Sequence, residues 1–391
     1  MTADVLSLET DFKERLLSLK PLDLCTYESL LRTRYPETEG LFSIPGLLDH
    51  TQQVMEAVRA NAGTLDTATA QALYLAALLH AVGQSGDQLS DSIGVTVERA
   101  REVCFRLGIK PSVRDDVVYL VRHQHIPWLY GVRHYNVLRY LQLSAMLNTQ
   151  ALYLLARADI EADGERSRIR STHPLEAFRR TCEEAGVFGQ RPQIWLSEED
   201  LDALGVHEPD ERLRLRHEVL ERQLRGLFDN PAQARAWVSA IVRRPHGTLY
   251  LTVGVPGSGK TTWVQQSLPG VRRISMDDQR ELLLGSRSDQ SLNPEVFRAC
   301  SYRLHEALAR NETVIWDAQS HTLAQRRNVL RAARGHHATV IIIHFDVPLC
   351  VALERNRMRE FAVPDEVIIR SYRRLLEPRD YEAEEIRRII A

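Results

Sequence analysis

The stretch Gly254-Val-Pro-Gly-Ser-Gly-Lys-Thr261 fits the spacing G-x-x-x-x-G-K-[ST]. Glycines at such positions let a backbone wrap closely around a polyphosphate, with successive N–H groups turned inward. A helix that follows adds its positive amino end. Lys260 places a compact charge for β- and γ-phosphates, and the Thr261 hydroxyl suits Mg²⁺. The nucleotide-binding candidates are Gly254, Gly257, Ser258, Gly259, Lys260, Thr261 and Thr262. Lysine occurs only at 13, 20, 110 and 260 in a chain of 391 residues with 50 Lys+Arg. Where nearly every base is arginine, a lone lysine points to a site that needs an ammonium rather than a planar fork.

Further carboxylates and bases follow at telling places. Ile274-Ser-Met-Asp-Asp-Gln-Arg280 comes where a second strand should end. A carboxylate there, Asp277, suits a general base for an attacking hydroxyl, and Arg280 lies three residues on, hence on the same face of a helix. The plainer alternative makes Asp277 or Asp278 a helix N-cap. Asp317 closes the apolar run TVIWD, with Gln319, Ser320 and Arg326-Arg327 behind it. It either binds Mg²⁺ and organises the site, or caps a helix from about 322. Arg355, Arg357 and Arg359 alternate before Val363-Pro364. Arg355 and Arg359, four apart, can close together over a triphosphate.

A second constellation lies in the amino-terminal half. His50, His80, His123, His125 and Asp159 each fall on or beside expected helices. Imidazoles and carboxylates converging from several helices make a transition-metal hydrolase site. For any one of these histidines taken singly, the plainer alternative is a satisfied core residue.

The elements that must position these groups change character along the chain. From about 37 to 160 apolar residues recur at helical spacing, as in LLDHTQQVMEAV and AQALYLAALLHAV. Breaks are expected at Asn61-Ala-Gly and Gly83-Gln-Ser-Gly, a helix over 111–122, and one long buried helix over 143–161. The stretch 165–235 is charged and mostly helical, with turns at His173-Pro174, Gly186 and Gly189. Arg243-Arg-Pro-His-Gly247 marks a boundary. After it, LYLTVGV (249–255), TVIWD (313–317) and ATVIIIHFDV (338–347) read as buried strands separated by helices, the pattern of a parallel sheet covered on both faces.

Composition excludes several classes. Apolar residues make up 44% and charged residues 26%, an ordinary globular balance. No run of 18 apolar residues exists, so no membrane partner is expected, and MTADVLSLETDFKERLL does not read as a secretion signal. The scattered Cys25, Cys104, Cys182, Cys300 and Cys350 are expected as reduced core residues of a cytoplasmic protein. The net charge of −2 hides a division: residues 248–391 hold 21 bases against 18 acids, so a polyanionic partner would favour this half.

The phosphate loop, the S-x-D-D-x-x-R box from Ser275 to Arg280, Asp317, and the R-N-x-x-R plus V-P lid from Arg355 to Pro364 resemble, in this order, the 5′-OH polynucleotide kinases. The likeness covers roughly 248–380. It implies phosphate transfer from ATP or another NTP, with Mg²⁺, to 5′-OH ends of RNA or DNA. Asp277 matches the general base, Arg280 the arginine on the acceptor's 3′-phosphate, and Arg355 and Arg359 the lid arginines on the donor. The histidine order resembles the HD superfamily of metal-dependent phosphohydrolases, which implies Mn²⁺, Ni²⁺ or Co²⁺. His50, His80, His123, His125 and Asp159 match its pattern. Ala81 stands where the family has the aspartate that follows its second histidine, and Gln84 replaces a base three positions on. A methyl group ligates nothing, so weakened metal binding and little hydrolysis are expected. A degenerate scaffold, a site with a substitute ligand and an introduced change all fit this departure. Residues 196–238 (LSEEDLDALGVHE…AQARAWV) resemble the segment after the HD domain of tRNA nucleotidyltransferases.

The whole arrangement is similar to the bacterial HD-domain polynucleotide kinases, which heal broken ends for an RNA ligase. The expectation is therefore multidomain. It combines an all-α HD-type domain (1–165), a helical extension (166–244) and an α/β P-loop kinase domain with a parallel sheet (245–391).

Overall fold

The computed structural model describes residues 3–84, 92–133, 135–163, 173–242, 246–286, 291–359 and 362–390. Arg243-Arg-Pro245 of the expected boundary and Ser85-Gly86 of the expected break lie outside them. The chain divides into two compact units, Met1–Pro192 and Gln193–Ala391. Residues 173–192 of the expected extension thus fall in the first unit and residues 193–242 in the second.

In the first unit the described residues form helices and turns, with no strand among them. At its centre is Thr67–Leu79, in which every residue from Ala72 to Leu79 is buried. Leu47–Asn61, Pro111–His123 and Thr149–Ala162 are its partners. The single helix expected over 143–161 is two helices, Val137–Met146 and Thr149–Ala162. Leu147 is extended at φ −152°, and the Asn148 side chain accepts from the Ala151 N–H at 2.9 Å, which starts a new helix. His173-Pro174 opens the helix His173–Glu184 instead of a turn, because proline at a first helical turn forfeits no hydrogen bond.

The second unit begins with Glu198–Ala203, Pro209–Leu224 and Pro231–Ile241, which share an apolar cluster around Leu201, Leu215, Val219 and Val238. Five strands follow: β1 (Thr248–Val253), β2 (Arg272–Ser275), β3 (Thr313–Asp317), β4 (Thr339–Asp346) and β5 (Glu385–Ile390). They pair in parallel in the order β2-β3-β1-β4-β5. The inner strands are nearly continuous apolar runs, buried at Leu249, Leu251, Val253, Val314, Ile315, Trp316, Val340, Ile342 and Phe345. The edge strand β5 carries Arg387 and Arg388, and its mixed composition hid it from periodicity analysis. From β1 the chain winds to one side for β2 and β3, then crosses to the other for β4 and β5. The carboxyl end of β1 therefore lies at a topological switch point, where open α/β sheets bind ligands.

Buried ion pairs tie the Pro209–Leu224 helix to this sheet. Arg214 donates to Glu218 at 2.8 Å and to the His337 carbonyl at 3.3 Å. The His337 ring meets Glu218 at 3.0 Å. Cys104, Cys182 and Cys300 are buried as expected, but Cys25 and Cys350 are exposed. Among the described residues no helix is long and apolar enough to cross a membrane.

Candidate functional site

In the second unit the loop after β1 turns through Gly257, at φ 81°, and Gly259, at φ 96°. Both lie in the left-handed region that glycine enters without strain. A Cβ at Gly257 would stand 2.2 Å from the Ala352 carbonyl oxygen, so only glycine lets the loop press against the helix Leu349–Arg357. The Gly254 N–H donates to the Gln319 carbonyl at 3.0 Å. Gly259 then starts the helix Lys260–Ser267, whose free N–H groups face the loop.

A cavity of about 1010 Å³ opens over this loop. Gly257, Ser258, Gly259, Lys260, Thr261 and Thr262 line it, together with Asp277, Arg280, Asp317, Arg355 and Arg359. Lys260 and Asp277 thus face one space although 17 residues separate them. The Lys260 ammonium donates to the Val255 carbonyl at 2.8 Å. Burial pushes its pKa down, the Asp317 carboxylate opposes the fall, Arg359 adds to it, and the result is about 8. The Thr261 hydroxyl lies 3.4 Å from an Asp317 oxygen, so two oxygen donors sit together at the strand end.

The alternatives left open for the carboxylates resolve through caps. Ser275 caps the helix Met276–Leu284, its hydroxyl accepting from the Asp278 N–H at 3.2 Å. Asp277 is therefore not spent on capping; its side chain is 60% exposed and pairs with Arg280. Thr322 caps the helix Leu323–Gly335 in a capping box with Gln325, so Asp317 does not. Of the three alternating arginines, Arg357 turns to Asp365 at 2.9 Å while Arg355 and Arg359 face the cavity. Asn356 pins the lid, exchanging hydrogen bonds with the Val363 carbonyl and N–H at 2.8 and 3.1 Å. Arg326 is wholly buried in a two-pronged pair with Glu382 at 2.6 and 3.0 Å, a structural role.

Two positions escaped motif reasoning. Arg273 donates to Asp317 at 2.8 Å and to Asp278 at 2.9 Å, tying the carboxylate at the end of β3 to one in the first turn of the helix Met276–Leu284. Its signal was the Arg272-Arg273 doublet: period two sends Arg272 to Glu306 and Glu312, and Arg273 to the other face. Asn293 accepts from Arg280 Nε at 3.1 Å and carried no sequence signal.

In the first unit, His50 and His80 bring their Nε2 atoms to 3.3 Å, and both approach Asp159 Oδ1, at 3.1 and 3.5 Å. All three donor atoms lie within 4.8 Å of one another. Burial pushes the Asp159 carboxyl up, but its hydrogen bonds to His50 and His80 outweigh this and hold it well below the usual carboxylate range. The opposite nitrogens are engaged elsewhere. His80 Nδ1 lies 2.8 Å from the Ala77 carbonyl, and His50 Nδ1 lies 3.5 Å from Asp163. Among the described residues, His123 and His125 stand outside this three-residue group. His123 ends its helix with its ring 5.9 Å from that of Tyr119, and His125 is exposed at the start of the helix Ile126–Val132. Ala81 is fully buried next to His80 and offers no donor atom.

Residues 249–378 match the family model of an AAA domain. With the phosphate loop and the parallel sheet, this match describes a P-loop domain of the nucleotide-binding type. Among solved structures, the chain is similar to a gluconokinase from Sinorhizobium meliloti 1021, at 19% identity over 38% of this chain and 84% of that chain, with a TM-score of 0.27.

Proposed function

We propose that the C-terminal unit transfers the γ-phosphate of ATP or another NTP to the 5′-OH end of RNA or DNA. The observation that carries this reading is one cavity lined jointly by Lys260, Asp277, Arg280, Arg355 and Arg359. The 5′-hydroxyl oxygen bonds to the γ-phosphorus as the bond to the bridging β–γ oxygen breaks. Asp277 takes the hydroxyl proton, and the nucleoside diphosphate leaves. Lys260, Arg355 and Arg359 stabilise charge on the transferring group, because these cations are in place before reaction. Arg280, held by Asn293, receives the phosphate 3′ of the first nucleotide. The adjoining oxygens of Thr261 and Asp317 fit Mg²⁺, which takes oxygen donors and neutralises β- and γ-oxygens when bound.

For the N-terminal unit, the same proposal assigns an HD-type phosphohydrolase module acting on 2′,3′-cyclic or 2′(3′)-phosphates. Two imidazole nitrogens and a carboxylate oxygen fit a transition ion such as Mn²⁺, Ni²⁺ or Co²⁺. An ion held by His50, His80 and Asp159 would supply activation of water for hydrolysis. The Ala77 carbonyl and Asp163 orient the two rings from behind, the usual support for ligating histidines. With Ala81 giving no ligand, hydrolysis is weak. The paired activities would leave 3′-OH and 5′-phosphate ends for an RNA ligase, in the cytoplasm.

The test uses the full chain with labelled ATP and Mg²⁺, offering 5′-OH RNA and DNA oligonucleotides beside nucleosides and sugars. Label on the oligonucleotides, lost in Asp277→Asn, is the expected result. Label confined to a nucleoside or sugar makes the protein a small-metabolite kinase. Nucleotide binding with no transfer to any acceptor makes it an ATP-gated scaffold. Either result overturns the proposal.

A further inference from the structure

The cavity walls contain two aromatic pairs on opposite sides of β1. Trp263 and Phe345 meet on the β4 side, with ring centroids 6.0 Å apart and planes at 81°. Phe297 and Trp316 meet on the β3 side, 5.8 Å apart and at 72°. All four residues line the cavity. The phosphate loop springs from β1, between the two pairs.

The β3 pair lies with the groups that would handle the acceptor. Asn293 and Phe297 are four residues apart on the helix Asn293–Ala309, so they share a face. Asn293 holds Arg280, and Arg280 pairs with Asp277. Trp316 is 2% exposed and serves as the buried support, whereas Phe297 is half-buried. Phe297 packs in part against the apolar cluster that holds Trp316, and its half-buried side chain also lines the cavity. Carboxylate, guanidinium and ring therefore follow one another along one wall. A 5′-OH nucleotide carries the matching parts: a hydroxyl, a 3′-phosphate and a flat aromatic base.

We infer that Phe297 is the stacking platform for the first base of the acceptor strand. This deepens the polynucleotide reading and rests on it. Stacking needs only a π face, so the site accepts any of the four bases and rejects an end that lacks one. Phe297 is a binding residue here; proton transfer stays with Asp277.

The experiment compares matched 5′-OH RNA and DNA oligonucleotides whose first residue either carries a base or is abasic, with kcat/KM read for each. Wild type prefers the base-bearing end by roughly 5- to 100-fold, and Phe297→Leu, which keeps an apolar side chain against Trp316, narrows this to within about twofold. The KM for ATP stays unchanged in Phe297→Leu, and Phe297→Tyr keeps the preference. Equal use of both ends by wild type overturns the inference but leaves the polynucleotide reading standing. An undiminished preference in Phe297→Leu, or its loss in Phe297→Tyr, also overturns the inference alone. No transfer to any oligonucleotide overturns both.

Discussion

The phosphate loop draws its contacts from eight consecutive residues, Gly254 to Thr261, whereas the histidine site of the other unit gathers positions 50, 80 and 159 from three places in the chain. The first works mainly through backbone N–H groups, which every residue but proline carries; glycines only make the curve possible. The second works through side-chain donors, each supplied by a different part of the fold, so that each lost ligand is lost outright. A local motif tolerates change around it. A convergent site depends on every contributor, and Ala81, buried beside His80, offers no donor atom.

That contrast can be broken or sharpened by experiment. The largest effect is expected at Asp277→Asn, with kcat for phosphoryl transfer falling roughly 10²- to 10⁴-fold, since a general base contributes that much. Nucleotide affinity by calorimetry should be unchanged, because the loop and Lys260 are intact. A parallel loss of affinity would mean that Asp277 holds the loop rather than serving chemistry.

Ala81→Asp tests the other site. Supplying a carboxylate should raise Mn²⁺ affinity by at least about tenfold, given that even supporting residues behind metal ligands are worth that much. Metal-dependent hydrolysis of a 2′,3′-cyclic phosphate should rise with it. An unchanged affinity would show that the three remaining donors do not form a working ion site.

The pH dependence of nucleotide binding comes next. Lys260, with its pKa lowered to about 8, is charged below that value and neutral above it. Affinity for the anionic nucleotide should therefore be flat below pH 8 and fall above it, by at most about tenfold per pH unit for one titrating group. Removing the ammonium in Lys260→Met should leave weak, pH-flat binding. A slope that survives in Lys260→Met would assign the titration elsewhere.

The smallest effect is expected at Asp163→Asn. It should weaken metal binding by a few-fold to about tenfold, through the orientation of His50, with helix content unchanged by circular dichroism. A loss as large as that of His50→Ala would make Asp163 a ligand itself.

Much of the C-terminal architecture was legible because its signals are short-range. Strands β1, β3 and β4 fall within a residue or two of the apolar runs that announced them, and the helix Asp365–Arg374 begins directly after Pro364. Edge strand β5 was not legible, since Glu385, Arg387 and Arg388 break any apolar period and only pairing with β4 makes the segment a strand. The single helix expected over 143–161 failed for a local reason, the capping amide of Asn148, which helical periodicity does not register. Among the site residues, the close three-donor group is made of His50, His80 and Asp159, and His123 and His125 are not members of it.

By itself the amino-acid order determined which residues are chemically capable: a glycine loop with a lone lysine, carboxylates at strand ends, paired arginines, and histidines at wide intervals. Covalent spacing along one helix or turn is short and stiff, so those local relations survive without knowledge of the fold. Only the tertiary structure decided that Arg357 turns to Asp365, and that Arg273 and Asn293 hold Asp317 and Arg280. Contacts between distant segments depend on register and helix packing, which set directions to within a fraction of a turn and which no single segment encodes.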